Sequence, residues 1–379
     1  MQNLNKIKKQ LFLIIIIFLY IKVNAQQWTG LPTFTTNWLG KIHFVSEDTG
    51  FVTDGTRLYK TVNGGNNWPQ VGPTYYNIFS PFFFNGTTGF VCGPSGIYKT
   101  TNGGLTFTDV FPDSVLSILT LNFPTTSIGY ASAIAGANYD TTLIYKTTNG
   151  GNNWSLISSM QTAAFPQMHF YNANIGYLNN NYNEILKTTD GGNTWNMTAT
   201  LNINNTCESI FFPSQDTGFV TSLNEIHRTI DGGNTWIIIN TNTSNAYYNL
   251  FFLNSLKGFA VGGNLGSGII EHTIDGGSTW TPGIVTSLEF ASVFFPSRQI
   301  GYACGSTGQI KKYDASLGFS DVQNDLQISI FPNPSTGIFT LQKPTDTKAI
   351  VVVYDVLGNQ CLSITLSHGE GTKQIDMSN

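Results

Sequence analysis

From Ile42 onward the chain is a succession of short apolar runs in which apolar and polar positions alternate, interrupted by clusters of Gly, Pro, Asn and Asp. A period of two predicts half-buried strands joined by turns rather than helices. One unit recurs within this succession. An apolar run is followed by a loop, a Gly-aromatic pair, a second loop, a strand ending in Lys-Thr or similar, and then Asp or Asn followed by Gly-Gly-x-x-aromatic. The glycine returns at Gly50, Gly89, Gly129, Gly176, Gly218, Gly258 and Gly301, and the closing aromatic at Trp68, Phe107, Trp154, Trp195, Trp236 and Trp280. A period of about 40 residues holding four short strands is the spacing of a propeller blade, not of a helical solenoid. The predicted fold class is all-β, a single seven-bladed β-propeller with four-stranded blades.

Seven glycine modules face six good Gly-Gly-x-x-aromatic turns, because the seventh unit runs GQIKKYDASLGF. The missing piece lies at the other end. Trp28 precedes the first apolar run at Ile42 by the same distance as Trp236 precedes its next run at Leu250. The segment Gln27-Trp28-Thr29 is therefore expected to supply the last strand of the final blade, covering two open sheet edges. Phe319 is the alternative seventh aromatic.

The turn in KTTDGGNTW, with Thr188, Asp190, Gly192, Thr194 and Trp195, matches the Asp-box pattern S/T-x-D-x-G-x-T-W, and so do Thr229 to Trp236 and Thr273 to Trp280. Physically it is a hairpin turn in which Asp or Asn accepts backbone N–H groups and glycine supplies positive φ. The first three copies carry Asn63, Asn102 and Asn149, the last three Asp190, Asp231 and Asp275. Asn makes the same turn bonds but cannot act as a general acid or base, so these positions are structural. The aromatic that follows each turn is a packing anchor.

The first twenty-five residues change the picture from fold to location. Lys6, Lys8 and Lys9 precede an apolar run from Leu11 to Ile21 and then Val23-Asn24-Ala25. That order is a secretory signal with cleavage expected after Ala25. The apolar run makes about 16 Å of helix, too short to span a bilayer. Without this segment the chain keeps 14 basic against 22 acidic side chains, a formal charge of −8. Such a balance disfavours nucleic acid and anionic lipid as partners. Cys92, Cys207, Cys304 and Cys361 show no CxxC pairing and read as buried small apolar residues. No cofactor motif or metal-ligand spacing is present, and His43, His169, His227 and His272 read as ordinary strand positions.

Two resemblances arise from these motifs. GFVCGPSGIYKTTNGG and GFVTSLNEIHRTIDGGNTW resemble the propeller of the photosystem II stability and assembly factors, over roughly residues 26 to 318. Sialidases, sortilin ectodomains and some xyloglucanases share the Asp box. ISIFPNPSTGIFTLQ, IVVVYDVLGNQ and GTKQIDMSN resemble the type A sorting domain of the type IX secretion system. That resemblance implies a small Ig-like β-sandwich over 326–379, after a linker at 319–325, and the secretion machinery as a partner. Its turn Pro332-Asn333-Pro334-Ser335-Thr336-Gly337 is distinctive, and the family pattern continues beyond Asn379, so a partial sandwich is expected.

For function, the loops opposite the Asp-box turns collect Tyr75, Tyr76, Tyr139, Tyr182, Tyr247 and Tyr248, a rim suited to stacking and hydrogen bonding with a glycan or protein. The resulting expectation is a monomeric, secreted or surface-displayed binding or scaffolding propeller without a catalytic centre. Two alternatives remain. A glycoside hydrolase needs an arginine triad or two convergent carboxylates. The only arginines, Arg57, Arg228 and Arg298, fall in different parts of the blade plan, and Asp140, Glu184, Glu208 and Glu289 are the acids to consider. An assembly-factor role would follow from the family resemblance, but the basic surface associated with it is lacking.

Overall fold

The computed structural model describes residues 28–315 except 75–77, 95, 113–116, 137–139, 162–165, 180–182, 202–206, 223, 240–245 and 265, together with strands of the C-terminal region. The expected signal segment with Ala25, the alternative aromatic Phe319 and the expected Pro332–Gly337 turn lie outside the described residues. Gln26–Ala315 forms one compact unit. It is a seven-bladed β-propeller: seven four-stranded antiparallel sheets whose first strands meet around a central channel. Those inner strands are Lys41–Phe44, Ser80–Phe83, Ser117–Asn122, Met168–Phe170, Ser209–Phe211, Ala246–Phe252 and Phe290–Phe294, for blades 1 to 7 in order.

The ring closes through its N-terminus. Trp28–Gly30 pairs antiparallel with Ile310–Asp314, in the register Trp28 to Tyr313, and completes blade 7. Trp28 also repeats the packing of the other closing aromatics. Trp68, Trp154, Trp195, Trp236 and Trp280 each meet a phenylalanine ring edge-to-face at 5.6–6.0 Å, and Trp28 meets Phe295 in the same way at 6.0 Å.

Why a glycine recurs in every blade follows from what lies over it. A methyl group on Gly50 would sit 2.5 Å from the Phe44 ring, and Gly218 meets Phe212 in the same way. The bare backbone lets a phenylalanine from the end of each inner strand lie flat. That ring then stacks on the aromatic of the preceding blade's Gly-aromatic pair. Tyr302 on Phe44, Phe51 on Phe83, Tyr130 on Phe170 and Tyr177 on Phe212 are stacked at 3.4–3.7 Å, and three looser pairs complete the circuit. Each such pair contributes roughly 0.5–1.5 kcal/mol beyond area burial.

The lysine of each Lys-Thr ending, read above only as the end of a strand, ties blades together. Lys60, Lys146 and Lys187 lie 5.3–5.5 Å above their own blade's aromatic ring. Each ammonium also donates to a carbonyl of the next blade, at Gly86, Gly191 and Gly232. Arg228 reaches Ser278 of the following blade from the equivalent position.

Below the blades, each turn is held by the threonine that ends its third strand. Thr188 Oγ1 accepts from Gly192 N at 2.9 Å and donates to Asp190 Oδ1 at 2.8 Å. Gly192 takes φ +86°, a left-handed value that favours glycine. Asp190 also accepts from Thr194 N and, through Oδ2, from Thr194 Oγ1. Asn102 makes the same pattern with one bond reversed, its Nδ2 donating to Thr106 Oγ1 at 2.8 Å. Hence Asn and Asp interchange at neutral pH.

They differ in acid. Hydrogen bonds from Thr194 and Thr235 hold Asp190 and Asp231 at about 2. Asp275 is also at about 2, where burial acts to raise it and the bonds from Thr279 and Thr273 outweigh burial. Stability from these depressed carboxylates is complete above pH ~4, the unfolded value, and disappears as pH falls toward about 2. The triple variant Asp190→Asn, Asp231→Asn, Asp275→Asn should keep its Tm at pH 7 and show a shallower fall in Tm between pH 4 and pH 2 than the parent. An unchanged acid limb would refute this account of the turns.

In the C-terminal region Ser329–Phe331, Ile338–Gln342 and Thr372–Asp376 form one antiparallel sheet, and Ala349–Tyr354 pairs with Gln360–Leu366. Among the described residues no helix is long and apolar enough to cross a membrane.

Candidate functional site

The inner strands set two rings of side chains around the channel, and the strand register identifies them. His43, Phe82, Asn122, His169, Phe211, Phe251 and Phe294 all pair with the aromatic of a Gly-aromatic unit. They touch in sequence around the axis: His169 to Phe211, Phe211 to Phe251, Phe251 to Phe294, Phe294 to His43 and His43 to Phe82, at 4.7–5.5 Å between centroids. Asn122 of blade 3 interrupts this circuit, its side chain accepting from Phe170 N. His43 Nε2 donates to the Phe83 carbonyl at 2.9 Å, and His169 Nε2 to that of Phe212 at 3.2 Å, each reaching the next blade. Burial dominates both rings and lowers them to about 4, against the opposing effect of these bonds. They are neutral residues of the inner strands, as expected of strand positions, and pack among the aromatic rings of neighbouring blades.

Two residues earlier in each strand, toward the opposite face, every position is polar: Lys41, Ser80, Thr120, Gln167, Ser209, Asn249 and Ser292. The ring is partly occupied in holding the blades together. Asn249 Nδ2 donates to Ser209 Oγ, Asn249 Oδ1 accepts from Val293 N, and Ser292 Oγ accepts from Ile42 N. Lys41 is its one charge, and burial lowers it while Cys304 and the carboxylate of Glu208 act in the other direction.

Above this ring lies the mouth. A bulge between Tyr247 and Asn249 sets Tyr248 outside the ladder and turns neighbouring side chains to opposite destinations. Tyr247 is fully buried, its hydroxyl donating to Glu271 at 2.7 Å. Its expected place on an exposed rim is therefore corrected. Tyr248 faces the mouth, where burial and then the charges of Glu289 and Glu208 raise it. Trp38 stands edge-to-face with it at 6.4 Å and is 43% exposed. The segment carrying Trp38 is pinned by Leu39 N to Gly305 O at 3.0 Å and by Asn37 Nδ2 to Asp54 at 2.8 Å.

Trp38 thus meets Tyr248 of blade 6, and Lys41, Glu208 and Glu289 stand at the starts of the inner strands of blades 1, 5 and 7. Two of the four candidate acids, Glu208 and Glu289, therefore lie next to inner strands. Asp140 and Glu184 lie at the third strands of blades 3 and 4, two strands out from the channel. The arginines stay apart, Arg57 beside Asp54, Arg228 on Ser278 and Arg298 exposed in blade 7. Tyr75, Tyr76, Tyr139 and Tyr182 lie outside the described residues. Cys92, Cys207 and Cys304 are buried free thiols that burial pushes upward. Among the described residues no group of His, Cys, Asp and Glu is arranged to hold a metal. Trp38 and Lys41 escaped sequence reasoning; the available signal was an unrepeated tryptophan in TTNWLG, outside the blade pattern.

The family described as secretion system C-terminal sorting domain matches residues 329–379. A tail of this kind implies export by type IX secretion to the cell surface or beyond. Among solved structures the chain is similar to YCF48 bound to D1 peptide, at 17% identity and TM-score 0.63, over 77% of this chain and 99% of that one. It is similar to YCF48 from Cyanidioschyzon merolae at 18% identity and TM-score 0.59, over 76% and 99%. It is also similar to the GH74 enzyme of Niastella koreensis, at 15% identity and TM-score 0.57, over 88% of this chain and 61% of that one. These likenesses establish the fold. A search of curated protein sequences gave no match.

Proposed function

We propose that this exported propeller is a recognition module, secreted or displayed at the surface, that binds a glycan or protein at the mouth of its channel. The observation that carries the reading is the half-exposed Trp38 set edge-to-face on Tyr248, with Lys41, Glu208 and Glu289 at the starts of the inner strands of blades 1, 5 and 7. An exposed indole beside charged and neutral hydrogen-bonding groups is the make-up of a ligand site. Binding needs no further group, and a rigid ring of blades preorganises it.

The full chain, titrated against outer-membrane extracts and a panel of polysaccharides, should bind about tenfold more weakly after Trp38→Ala or Tyr248→Ala. Undiminished binding by both variants would remove the mouth from consideration. A second reading, glycoside hydrolysis, is favoured by one observation, that Glu208 and Glu289 immediately precede the inner strands of blades 5 and 7, at the same end of those strands. Release of reducing sugar by the parent, abolished by Glu208→Gln or Glu289→Gln, would replace binding by catalysis.

A further inference from the structure

Four asparagines in the chain are followed by glycine. In that pair the next main-chain nitrogen reaches the asparagine side chain most easily, because glycine has no Cβ to block the approach. Asn63, Asn102 and Asn149 stand in Asp-box turns, and Asn85 lies in the loop between the first two strands of blade 2.

The fold treats these four pairs in opposite ways. In the turns the attacking nitrogen is already engaged: Gly64 N donates to Asp48 O at 2.9 Å, Gly103 N to Thr87 O at 2.7 Å and Gly150 N to Ser127 O at 2.9 Å. Each asparagine oxygen also accepts from the threonine two residues before it, which holds the side chain in place. At Asn85 the nitrogen is free and the oxygen is prepared. Among the described residues Gly86 N has no hydrogen-bond partner. The Asn85 oxygen accepts from Thr87 N at 2.9 Å, Thr87 Oγ1 at 2.8 Å and Thr88 N at 2.8 Å. Attack on Cγ moves negative charge onto that oxygen, and donors already aimed at it stabilise the charge as it forms. The Lys60 ammonium, 2.7 Å from Gly86 O, adds a positive charge beside the reacting groups. Asn85 is exposed, so water reaches it.

We propose that Asn85–Gly86 is a self-modification site, at which the folded loop promotes deamidation while the Asp-box turns suppress it. Gly86 N bonds to Asn85 Cγ as the Cγ–Nδ2 bond breaks, and the proton that Gly86 gives up leaves, through water, with Nδ2 as ammonia. Water then opens the five-membered imide. Opening at Cγ leaves an aspartate, which keeps the three bonds and adds one negative charge. Opening at the main-chain carbonyl leaves an isoaspartate, whose extra backbone carbon displaces Gly86 O and frees Lys60 of blade 1 from its hold on blade 2.

The test holds the full chain at pH 8 and follows the four sites by peptide mapping, with fragment ions locating each exchange of NH2 for OH. A parallel sample in urea gives the rates without the fold. In the folded chain Asn85 should react at least about tenfold faster than Asn63, Asn102 and Asn149, and the gap should close in urea. Asn85 itself should be no slower folded than unfolded. Thr87→Val, which removes one donor to the oxygen, should slow Asn85 about tenfold and leave the three turns unchanged. Gly86→Ala should also slow it, and the added methyl meets only Thr49, at 3.5 Å, so the loop keeps its shape. Equal rates at the four folded sites, an Asn85 that reacts faster in urea than in the folded chain, or an unchanged rate in Thr87→Val would overturn the proposal.

Discussion

Between pH 7 and pH 4 the propeller should lose on the order of 5 kcal/mol of stability through two channel histidines, and replacing both by phenylalanine should remove most of that loss. Burial is the larger influence on His43 and His169 and takes each from 6.5 to about 4, against the raising effect of a bond to the next blade's carbonyl. The unfolded chain therefore binds two protons that the folded chain refuses. Stability contributed by the neutral rings is complete above pH ~6.5 and is lost as pH falls through that value toward about 4. A shift of this size is worth about 3 kcal/mol per ring. Attraction between a protonated imidazole and its aromatic neighbours returns roughly 0.5–1 kcal/mol of that in each case. The two rings sit in blades 1 and 4 and share no partner, so their effects should add.

Phenylalanine is the informative replacement because it already occupies four of the seven equivalent positions, Phe82, Phe211, Phe251 and Phe294. The variant forfeits the bonds to the Phe83 and Phe212 carbonyls, about 1 kcal/mol each. It should be somewhat less stable than the parent at pH 7 and more stable at pH 4. Urea unfolding at pH 7, 6, 5 and 4 measures both. Parallel pH profiles for parent and double variant would show that the histidines do not carry the acid sensitivity.

These histidines mark the boundary of what the sequence discloses. The blade plan is legible because it repeats: a glycine that must lie under a ring recurs seven times, and an aromatic that must meet that ring's edge follows it six times. Trp28 was legible for the same reason, being the seventh copy of a contact displaced to the other end of the chain. The channel is legible only after one knows that the first strand of each blade is innermost. In Lys41-Ile42-His43-Phe44 the alternation separates two faces but does not say which face meets the axis. Tyr247 and Tyr248 are adjacent and chemically alike, and a single bulge residue buries one while presenting the other. Such a bulge changes no residue type, so composition does not reveal it. Glu208 and Glu289 were legible as acids, but their places beside the inner strands follow only from the strand order of the blades.

That closure yields the second large effect. Trp28→Ala should destabilise the propeller by about 3–5 kcal/mol, the range for removing a large buried aromatic. Trp28 is buried against Phe259, Phe295 and Tyr313 at 5.3–6.0 Å. The same truncation at Trp68 opens a comparable cavity, but Trp68 sits within a run of chain already held by the strands of blade 1. The Trp28 strand is different: three residues, Trp28–Gly30, join the two ends of the ring, and their backbone pairing is short enough to depend on the anchor. Losing the indole should therefore release the strand as well as open a cavity. Amide exchange should rise selectively in Ile310–Asp314, on the edge that Trp28–Gly30 covers, while Trp68→Ala leaves those amides protected. Equal protection of Ile310–Asp314 in the two variants, or a loss below about 1 kcal/mol for Trp28→Ala, would mean that the ring is held shut by stacking between blades 7 and 1, where Tyr302 lies 3.7 Å from Phe44, and that the N-terminal strand is a passenger.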